Sequence, residues 1–182
     1  MKVISGFLKG RNILGYDIDG TRPTMDRVKE SLFAMIQDYI KDSIILDLFA
    51  GSGQLGIEAI SNGAKLCYFT DHNNEVIKAL NTNIANLNIE NKSKVILTDW
   101  KKFLNDCSLK KLKFDLIFVD PPYDYDVYEK IIDKVSTLDL LNKNGLLILE
   151  HHNLKFKEVY NDLSLYKEKK YGNKSVNIYK NN

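Results

Sequence analysis

The chain of 182 residues is poor in cysteine, with two in total, Cys67 and Cys107. They stand alone, without a CxxC pair or the spacing that is typical of metal ligands. We therefore expect reduced thiols, no disulfide framework and no bound zinc or other metal.

Long apolar runs and low-complexity tracts are also missing. No hydrophobic stretch approaches the length needed to span a bilayer, and the apolar start of the chain breaks at Ser5-Gly6, too early for a signal peptide. This pattern predicts a cytoplasmic protein with no membrane partner. A chain of 182 residues without a linker or internal repeat is expected to form one core of ordinary size.

Proline occurs three times, and two of the three are adjacent, in Asp120-Pro121-Pro122-Tyr123. The run follows an apolar stretch over 114–119 that predicts a buried strand, at the edge where α/β sheets hold their chemistry. Two prolines stiffen the backbone and leave its carbonyl groups as bare acceptors. A nucleobase could stack on Tyr123 while its exocyclic NH2 donates to Asp120 and to the Pro121 carbonyl. A plain strand-to-helix turn would use the same residue types.

Short apolar runs alternate with segments whose apolar residues recur at helical spacing, which predicts a parallel sheet with helices between its strands. The predicted strands cover residues 44–48, 66–70, 94–98, 114–119 and 145–150. The predicted helices cover residues 24–39, 54–62, 74–87, 100–105 and 125–135, with Thr24 as the N-cap of the first. Glycines spaced through residues 1–20 predict an N-terminal hairpin, and Gly172-Asn173 predicts another between 164–170 and 175–179.

The first predicted strand leads into a glycine-rich loop, which contains a literal G-x-G-x-x-G from Gly51 to Gly56. Glycines permit a tight turn and the close approach of a ligand, and the next helix offers free N–H groups to an anion. A dinucleotide or S-adenosylmethionine could satisfy this loop. Asp71, 20 residues after Gly51, could accept hydrogen bonds from the ribose of either ligand.

Three features favour S-adenosylmethionine over a nicotinamide. Asp47 suits the ammonium group of the methyl donor better than it suits a pyrophosphate. Asp99 follows the third predicted strand and could accept from the adenine amine, with the Trp100 backbone against the ring. Hydride transfer has no evident use for the run at 120–123. Each acid could instead be an ordinary strand-end or helix-capping aspartate, but four of them after successive strands favour a ligand site.

Lysine is concentrated in two segments, although the net charge is only +2. Residues 92–113 hold seven lysines against two aspartates, and residues 153–182 hold seven lysines against three acids. Two basic segments on either side of an aromatic-bearing site fit a polyanion that is steered by its phosphates. A lysine-rich solvated surface is the alternative interpretation.

With these motifs in this order, the chain resembles the bacterial RsmD family. The likeness covers almost the full length and is most specific in the first thirty-odd residues and the C-terminal hairpin. It is carried by Met1 to Gly6, Lys9-Gly10-Arg11, Thr21 to Thr24, Asp26 to Phe33, Asp47 to Gly56, Asn83, Asp120 to Tyr123, Glu150 and Tyr171-Gly172. The chain departs from the family pattern at Gln54 and at His72-Asn73.

The resemblance implies a fold, a reaction and a partner. The fold is a Rossmann-like class I S-adenosylmethionine-dependent methyltransferase, with a mostly parallel seven-stranded sheet, helices on both faces and a small N-terminal β-hairpin. Residues 1–20 would be an RNA-contacting extension and residues 21–182 the methyltransferase domain. The reaction would methylate the exocyclic N2 of one guanine in 16S rRNA, free or in the assembling small ribosomal subunit, with the enzyme acting as a monomer.

The site residues follow from these considerations taken together. We assign catalysis to Asp120, Pro121, Pro122 and Tyr123. The donor S-adenosylmethionine is assigned to Arg22, Thr24, Asp47, Phe49, Ala50, Gly51, Gly53, Asp71, His72, Asp99 and Trp100. RNA phosphates are assigned to Lys9, Arg11, Arg22 and Arg27. For Arg22 and Arg27 a salt bridge at the helix start with Asp26 or Glu30 is the alternative, and His151-His152 is expected at the surface.

Three other functions remain open from the residues alone, the last choice among them being a nicotinamide-dependent reductase. Any exocyclic amine satisfies the same two acceptors, so adenine N6 in DNA or RNA is a second possible target. A non-catalytic RNA-binding or ribosome-assembly module would keep the fold without the reaction, although the intact Asp47, Asp71, Asp99 and Asp120 argue against it.

Overall fold

The computed structural model describes residues 1–15, 22–122 and 125–182, except for the side chains of residues 22–25 and 125. These residues form five α-helices, eight strands and two single turns of 3-10 helix, Gln37–Tyr39 and Glu90–Lys92. The helices are α1 (Arg22–Ile36), α2 (Gln54–Ser61), α3 (Asn74–Leu87), α4 (Trp100–Leu109) and α5 (Tyr125–Thr137). The strands are β1 (Ile44–Asp47), β2 (Leu66–Asp71), β3 (Ser93–Leu97), β4 (Phe114–Val119), β5 (Leu141–His151), β6 (Val159–Tyr160), β7 (Leu163–Tyr171) and β8 (Lys174–Asn181).

All eight strands of the described chain belong to one sheet in the order β3-β2-β1-β4-β5-β8-β7-β6. The first five pair in parallel, and β8, β7 and β6 are added by antiparallel pairing. The strand order reverses direction between β1 and β4, so the loops that follow these two strands flank a crevice. This topology places the ends of β1, β2, β4 and β5 along one edge.

Helices cover both faces of the sheet because the central strands are apolar on both sides. On one face, α1, α2 and α3 pack through residues such as Leu32, Ile57 and Leu80 against the sheet residues Phe69 and Phe118. On the other face, α4 and α5 pack against Leu46, Ile117 and Leu149, among others. Both hydrophobic clusters are continuous, so the sheet is held rigidly between two layers.

The number of strands differs from the seven expected. The additional strand is β6, two residues at the sheet edge that pair with the start of β7. A two-residue strand is too short to show a period of alternation, so no sequence pattern signals it. The expected C-terminal hairpin is present as β7 and β8, joined at Gly172-Asn173.

The first helix begins two residues earlier than predicted. Thr24 therefore lies in the first turn of α1 and not at its N-cap, because the helix starts at Arg22. Pro23 is compatible with this start, since its fixed φ suits a helical first turn and its missing N–H has no intrahelical partner there.

Residues 1–15 pack onto the face that carries α1, α2 and α3. Val3, Leu8 and Ile13 are buried in that hydrophobic cluster. In place of the predicted hairpin strands, this part of the chain forms one antiparallel bridge between Lys2 and Asn12. Residues 16–20, the remainder of the predicted hairpin, lie outside the described residues.

A buried ion pair joins this N-terminal segment to two helices. Lys29 Nζ in α1 lies 3.1 Å from Glu58 Oε2 in α2, and the two side chains are 5% and 1% exposed. The Glu58 carboxylate also accepts from the backbone N–H groups of Ile4 and Ser5, and Lys29 donates to the Lys2 carbonyl at 3.0 Å. The segment is thus fixed by buried polar contacts as well as by apolar packing.

Candidate active site

A cleft of about 900 Å³ opens at the carboxyl edge of the parallel strands. Its acidic lining comes from the ends of four strands, with Asp47 from β1, Asp71 from β2, Asp120 after β4 and Glu150 from β5. The described residues that line it are Lys29, Asp47, Phe49, Ala50, Gly51, Ser52, Gln54, Leu55, Asp71, His72, Asp120, Pro121, Pro122, Tyr128, Glu150, His151, His152, Leu154 and Lys174. The cleft therefore joins the glycine loop to the Asp120 run.

The glycine loop after β1 is shaped for the close approach of a ligand. Gly51 has φ +53°, and a Cβ placed there would meet no heavy atom within 4 Å, so its outer side is open to the cleft. Gly53 has φ +85°, and a Cβ there would lie 2.5 Å from Leu80 Cδ1. Gly51 leaves room for a ligand, whereas Gly53 allows the loop to pack against α3.

Asp47 is buried at the base of this loop. Its Oδ2 accepts from the backbone N–H of Gly56 at 3.0 Å, in the first turns of α2. Burial raises the pKa of Asp47 to about 7, and the nearby Asp71 adds to the shift, while the Gly56 hydrogen bond opposes it. A cationic group in the cleft would stabilise the ionised form of this carboxylate.

Asp71 fixes the loop at the end of β2. Its Oδ2 accepts from Gly51 N at 3.2 Å, and its Oδ1 accepts from Asn73 N at 2.9 Å. The neighbouring His72 is largely exposed, with Nδ1 3.6 Å from Asp71 Oδ1. Each carboxylate oxygen keeps a free lone pair for a further donor, because a carboxylate accepts about four hydrogen bonds.

Asp99 and Trp100 occupy a different position from the other predicted donor residues. Asp99 is the N-cap of α4, and its side chain accepts from the backbone N–H of Lys101 at 2.8 Å and of Lys102 at 3.3 Å. Among the described residues, the cleft lining does not include Asp99 or Trp100. The capping alternative thus accounts for Asp99 in this structure. Both capping hydrogen bonds go to Oδ1, so Oδ2 takes no part in the cap.

Asp120 and the two prolines follow β4 directly into the cleft. Pro121 is buried and Pro122 is exposed, whereas Tyr123, the predicted stacking residue, lies outside the described residues. Asp120 is reached by solvent from the open cleft, yet its carboxyl group is closely surrounded by protein. Partial desolvation by the surrounding protein raises the pKa of Asp120 to about 7, Glu150 adds to the shift, and Lys174 opposes it.

Sequence reasoning did not assign Glu150, Lys174 and Tyr128 to the site. Glu150 and Lys174 form an ion pair in the cleft wall, with side chains 12% and 19% exposed. The Tyr128 hydroxyl donates to the Glu150 carbonyl at 2.5 Å. In the sequence, the position of Glu150 near the end of the fifth predicted strand could have indicated a place in the site. Lys174 had no such signal, since it reaches the cleft only through the pairing of β8 with β5.

His151 is buried, contrary to the surface position expected for His151-His152. Its Nε2 lies 2.8 Å from Asn177 Oδ1, and its Nδ1 accepts from Leu154 N at 3.0 Å. Burial lowers the pKa of His151, so the neutral ring with its proton on Nε2 fits both contacts. His152 is exposed at the mouth of the cleft.

Three of the predicted RNA-binding residues, Lys9, Arg11 and Arg27, do not line the cleft. Arg11 and Lys9 are exposed, and Arg11 donates to the Asn86 carbonyl at 2.7 Å near the C-terminal end of α3. Arg27 is exposed on α1. Arg22 and Thr24 are in the first turn of α1, and their side chains lie outside the described part of the chain.

Neither a metal centre nor a membrane span is evident in the described residues. They contain no group of three or more His, Cys, Asp or Glu side chains that could hold a metal ion. None of the helices formed by the same residues is long and apolar enough to cross a bilayer.

The sheet order, the glycine loop after β1 and the acid at the end of β2 fit the class I S-adenosylmethionine-dependent methyltransferase fold. Solved structures agree. A candidate methyltransferase from Escherichia coli superposes with a TM-score of 0.88 at 30% identity, over 100% of this chain and 97% of its own. A candidate methylase from Haemophilus influenzae superposes with a TM-score of 0.81 at 32% identity, over 99% of this chain and 97% of its own.

Comparison of sequences identifies the family. The family model described as "Conserved hypothetical protein 95" matches residues 1–180. Ribosomal RNA small subunit methyltransferase D of Haemophilus influenzae is 34% identical over 100% of this chain and 94% of the relative. Its namesake in Escherichia coli is 34% identical over 98% of this chain and 89% of the relative. The chain therefore belongs to the ribosomal RNA small subunit methyltransferase D (RsmD) family, which confirms the resemblance and the fold class.

Proposed function

We propose that this protein transfers a methyl group from S-adenosylmethionine to the exocyclic N2 of one guanine in bacterial 16S rRNA. The observation that carries the proposal is that Asp120-Pro121 and the glycine loop open into one cleft. Family membership supports the methyl transfer and the ribosomal RNA substrate, since the relatives are named small subunit rRNA methyltransferases.

The cleft fits S-adenosylmethionine in three respects. The outer side of Gly51 leaves open the space that a side chain would fill. Asp71 offers carboxylate lone pairs to ribose hydroxyls, and Asp47 is a buried acid whose ionised form would gain from an ammonium group. Arg22, Thr24, Phe49, Ala50, Gly53, His72, Asp99 and Trp100 complete the proposed donor site. When bound, S-adenosylmethionine supplies an electrophilic methyl group on a sulfonium.

Asp120 and Pro121 would prepare the amine for reaction. An exocyclic guanine amine is a poor nucleophile because its lone pair is delocalised into the ring. If the Asp120 carboxylate and the Pro121 carbonyl each accept one N–H, the nitrogen is drawn towards a tetrahedral geometry with its lone pair freed. Holding the two reactants in this arrangement can lower the barrier by several kcal/mol. With a pKa of about 7, Asp120 can also take up the proton released after transfer.

The target base would be held by stacking as well as by hydrogen bonds. Tyr123 is the proposed stacking residue, at about 1 to 3 kcal/mol per base. A base that is already unpaired enters the cleft at the lowest cost, since flipping a paired base costs a few kcal/mol. We therefore place the target guanine in a loop or other unpaired part of the small subunit rRNA. The enzyme would act as a monomer in the cytoplasm, where this RNA is assembled, with residues 1–20 as an RNA-contacting extension of the domain at 21–182.

Asp120→Ala tests the proposal directly. The variant should lose about a hundredfold to a thousandfold in kcat for methyl transfer to 16S rRNA, because the amine loses one of its two acceptors. Its affinity for S-adenosylmethionine should be unchanged, because the glycine loop and Asp71 remain. Methyl transfer is measured with labelled donor, and the product nucleoside is identified by mass spectrometry. Asp126→Ala is the matched control, since Asp126 is exposed in the first turn of α5 and does not line the cleft.

Each outcome separates the competing functions. A fully active Asp120→Ala variant would remove Asp120 from the mechanism. Methylation at adenine N6 would replace guanine N2 as the target. Tight RNA binding without any methyl transfer by the wild-type protein, together with no binding of S-adenosylmethionine, would leave a non-catalytic assembly module.

A further inference from the structure

Three charged side chains from three adjacent strands meet at the cleft wall. Asp120 follows β4, Glu150 is in β5, and Lys174 begins β8, and these strands are neighbours in the order β4-β5-β8. Val119 is opposite Leu149, so Asp120 and Glu150 leave the sheet at the same level. On the other side, Glu150 is opposite Val176, two residues from Lys174. The order along the edge is carboxylate, carboxylate, ammonium.

The Glu150–Lys174 pair faces the cleft, and in the proposed transfer it acts only on the pKa of Asp120. Both residues line the cleft, and neither is needed to hold the donor or to accept from the amine. Their side chains are 12% and 19% exposed, so each still presents a face to a ligand. The Tyr128 hydroxyl bonds the Glu150 carbonyl and holds this part of β5 in place. A partly buried ion pair contributes little net stability, so a recognition role accounts better for its position.

The two purine edges differ in the groups that adjoin the reactive amine. On guanine the N2 amine is followed by the N1–H donor and then by the O6 acceptor. On adenine the N6 amine is followed by N1, which is an acceptor. A carboxylate beside the amine site can accept from guanine N1–H but repels adenine N1, because an ionised carboxylate has no proton to donate. An ammonium beyond it can donate to O6.

We propose that Glu150 and Lys174 are the residues that select guanine, with Glu150 accepting from N1–H and Lys174 donating to O6. The order of charges along the sheet edge then matches the order of donors and acceptor along the base. This inference rests on the proposed function, since it takes Asp120 as the acceptor for N2. It also deepens that function, because the acceptors at Asp120 and Pro121 do not distinguish guanine from adenine.

Base analogues at the target position test the selection. A short target RNA is prepared with guanine, 2-aminopurine or 2,6-diaminopurine at one site; all three carry an amine at C2, but the two analogues lack N1–H and O6. The wild-type protein should prefer guanine in kcat/KM by about a hundredfold or more, the size expected when a site's buried polar groups are left unpaired. Glu150→Gln and Lys174→Met should each reduce that preference at least tenfold.

The quantity compared between variant and wild type is the ratio of kcat/KM for guanine to kcat/KM for an analogue. In this comparison the intrinsic reactivity of each amine and any general loss of activity cancel. Glu158→Gln and Lys170→Met are the matched controls, because both side chains are exposed and neither lines the cleft. These controls should keep the wild-type preference. The double variant Glu150→Gln/Lys174→Met is measured alongside, because it leaves neither charge of the pair without its counter-ion, and we expect it to fold even where a single variant does not.

The outcomes distinguish this inference from the proposed function. Wild-type protein that methylates guanine RNA, together with pair variants that keep the full preference, overturns the selection role alone. Wild-type protein that binds S-adenosylmethionine but methylates none of the three RNAs overturns the proposed function, and the selection role with it. A reduced preference in the pair variants, with unchanged affinity for the donor, supports the inference.

Discussion

The ionised carboxyl group of Asp47 has opposite effects on stability and on ligand binding. Burial raises its pKa to about 7, whereas an aspartate in an unfolded chain loses its proton near about pH 4. The folded state therefore holds one more proton than the unfolded state between these values. Stability falls as the pH rises through this window and stays at the lower level above it.

Asp47→Asn should remove the loss of stability that ionisation of Asp47 causes. At pH 8 the variant without ligand should be more stable than the wild type by on the order of 2 to 4 kcal/mol, or several degrees in Tm. The amide oxygen can still accept from Gly56 N, so the loop keeps its hydrogen bond. Thermal unfolding, followed by circular dichroism at pH 5, 6, 7 and 8, measures the difference in Tm between the variant and the wild type. This difference should become smaller as the pH falls.

The same substitution should weaken the binding of S-adenosylmethionine at least tenfold, measured by calorimetry at pH 8, because an ammonium group would lose its carboxylate. Asp126→Asn, at an exposed position, should change neither quantity. An Asp47→Asn variant with the same Tm difference from wild type at pH 5 and pH 8 would show that the charge at Asp47 does not limit stability.

At the scale of single residues, the sequence indicated the acids well but not all their surroundings. Asp47, Asp71 and Asp120 were predictable because each lies at the end of a strand that the sequence shows as a short apolar run. Lys174 and the buried state of His151 were not, because each depends on the antiparallel addition of β8 to β5. Asp99 shows the limit of such reasoning, since the same position fits a helix cap and a ligand contact.

The elements α1 and α2 are coupled to the N-terminal segment through one buried charge pair. Lys29 and Glu58 are nearly inaccessible to solvent, and Glu58 accepts from two backbone N–H groups and the Ser5 hydroxyl. Removing one partner leaves the other as a buried charge without its counter-ion. The coupling therefore predicts strongly non-additive mutational effects.

Glu58→Gln and Lys29→Met should each destabilise the protein by about 3 kcal/mol or more, and the double variant should cost clearly less than the sum of the two. Urea unfolding measures the free energies. The exposed pair Glu75–Lys78 in α3 is the matched control, because its side chains are 69% and 64% exposed. Its variants should change stability by less than about 1 kcal/mol. Additive costs at Lys29 and Glu58 would contradict the coupling.

Most elements were predictable from the sequence because each carries a strong local pattern. The predicted α3, 74–87, has the observed bounds, and each of the five predicted parallel strands is present. The predictions were wrong where the local signal was weak or where two neighbouring residues both fitted a helix start. Pro23 is compatible with a helix start that preceded the predicted cap at Thr24, and β6 is too short to show a pattern.

On the scale of the whole molecule, the N-terminal segment and the first basic segment form one surface. Phe7 is 63% exposed, and Lys92 Nζ lies 5.9 Å from the centre of its ring. Phe7 N donates to the Ser61 carbonyl, and Arg11 is bonded near the end of α3. We propose that this surface, defined by Phe7, Lys9, Arg11 and Lys92, holds RNA phosphates outside the cleft.

The double charge reversal Lys9→Glu/Arg11→Glu should weaken RNA binding about tenfold or more at low salt and make its affinity less dependent on salt. Activity at saturating RNA should stay near the wild-type value, since neither residue lines the cleft. Filter binding from 50 to 300 mM salt measures both effects. Lys41→Glu/Lys65→Glu is a control of equal charge change at exposed positions outside the proposed surface. Unchanged affinity and salt dependence would remove this surface from the RNA interface.

The sequence by itself determined the alternation of strands and helices, the glycine loop, and the acids that end the strands. These features are local, since each depends on a run of neighbouring residues and on backbone preferences. Only the tertiary structure decided which side chains share the cleft. It brought Lys174 beside Glu150, buried His151, and fixed the N-terminal segment on Glu58. The reason is that strand pairing joins residues that lie far apart in the chain, and the register of a pair depends on both strands together.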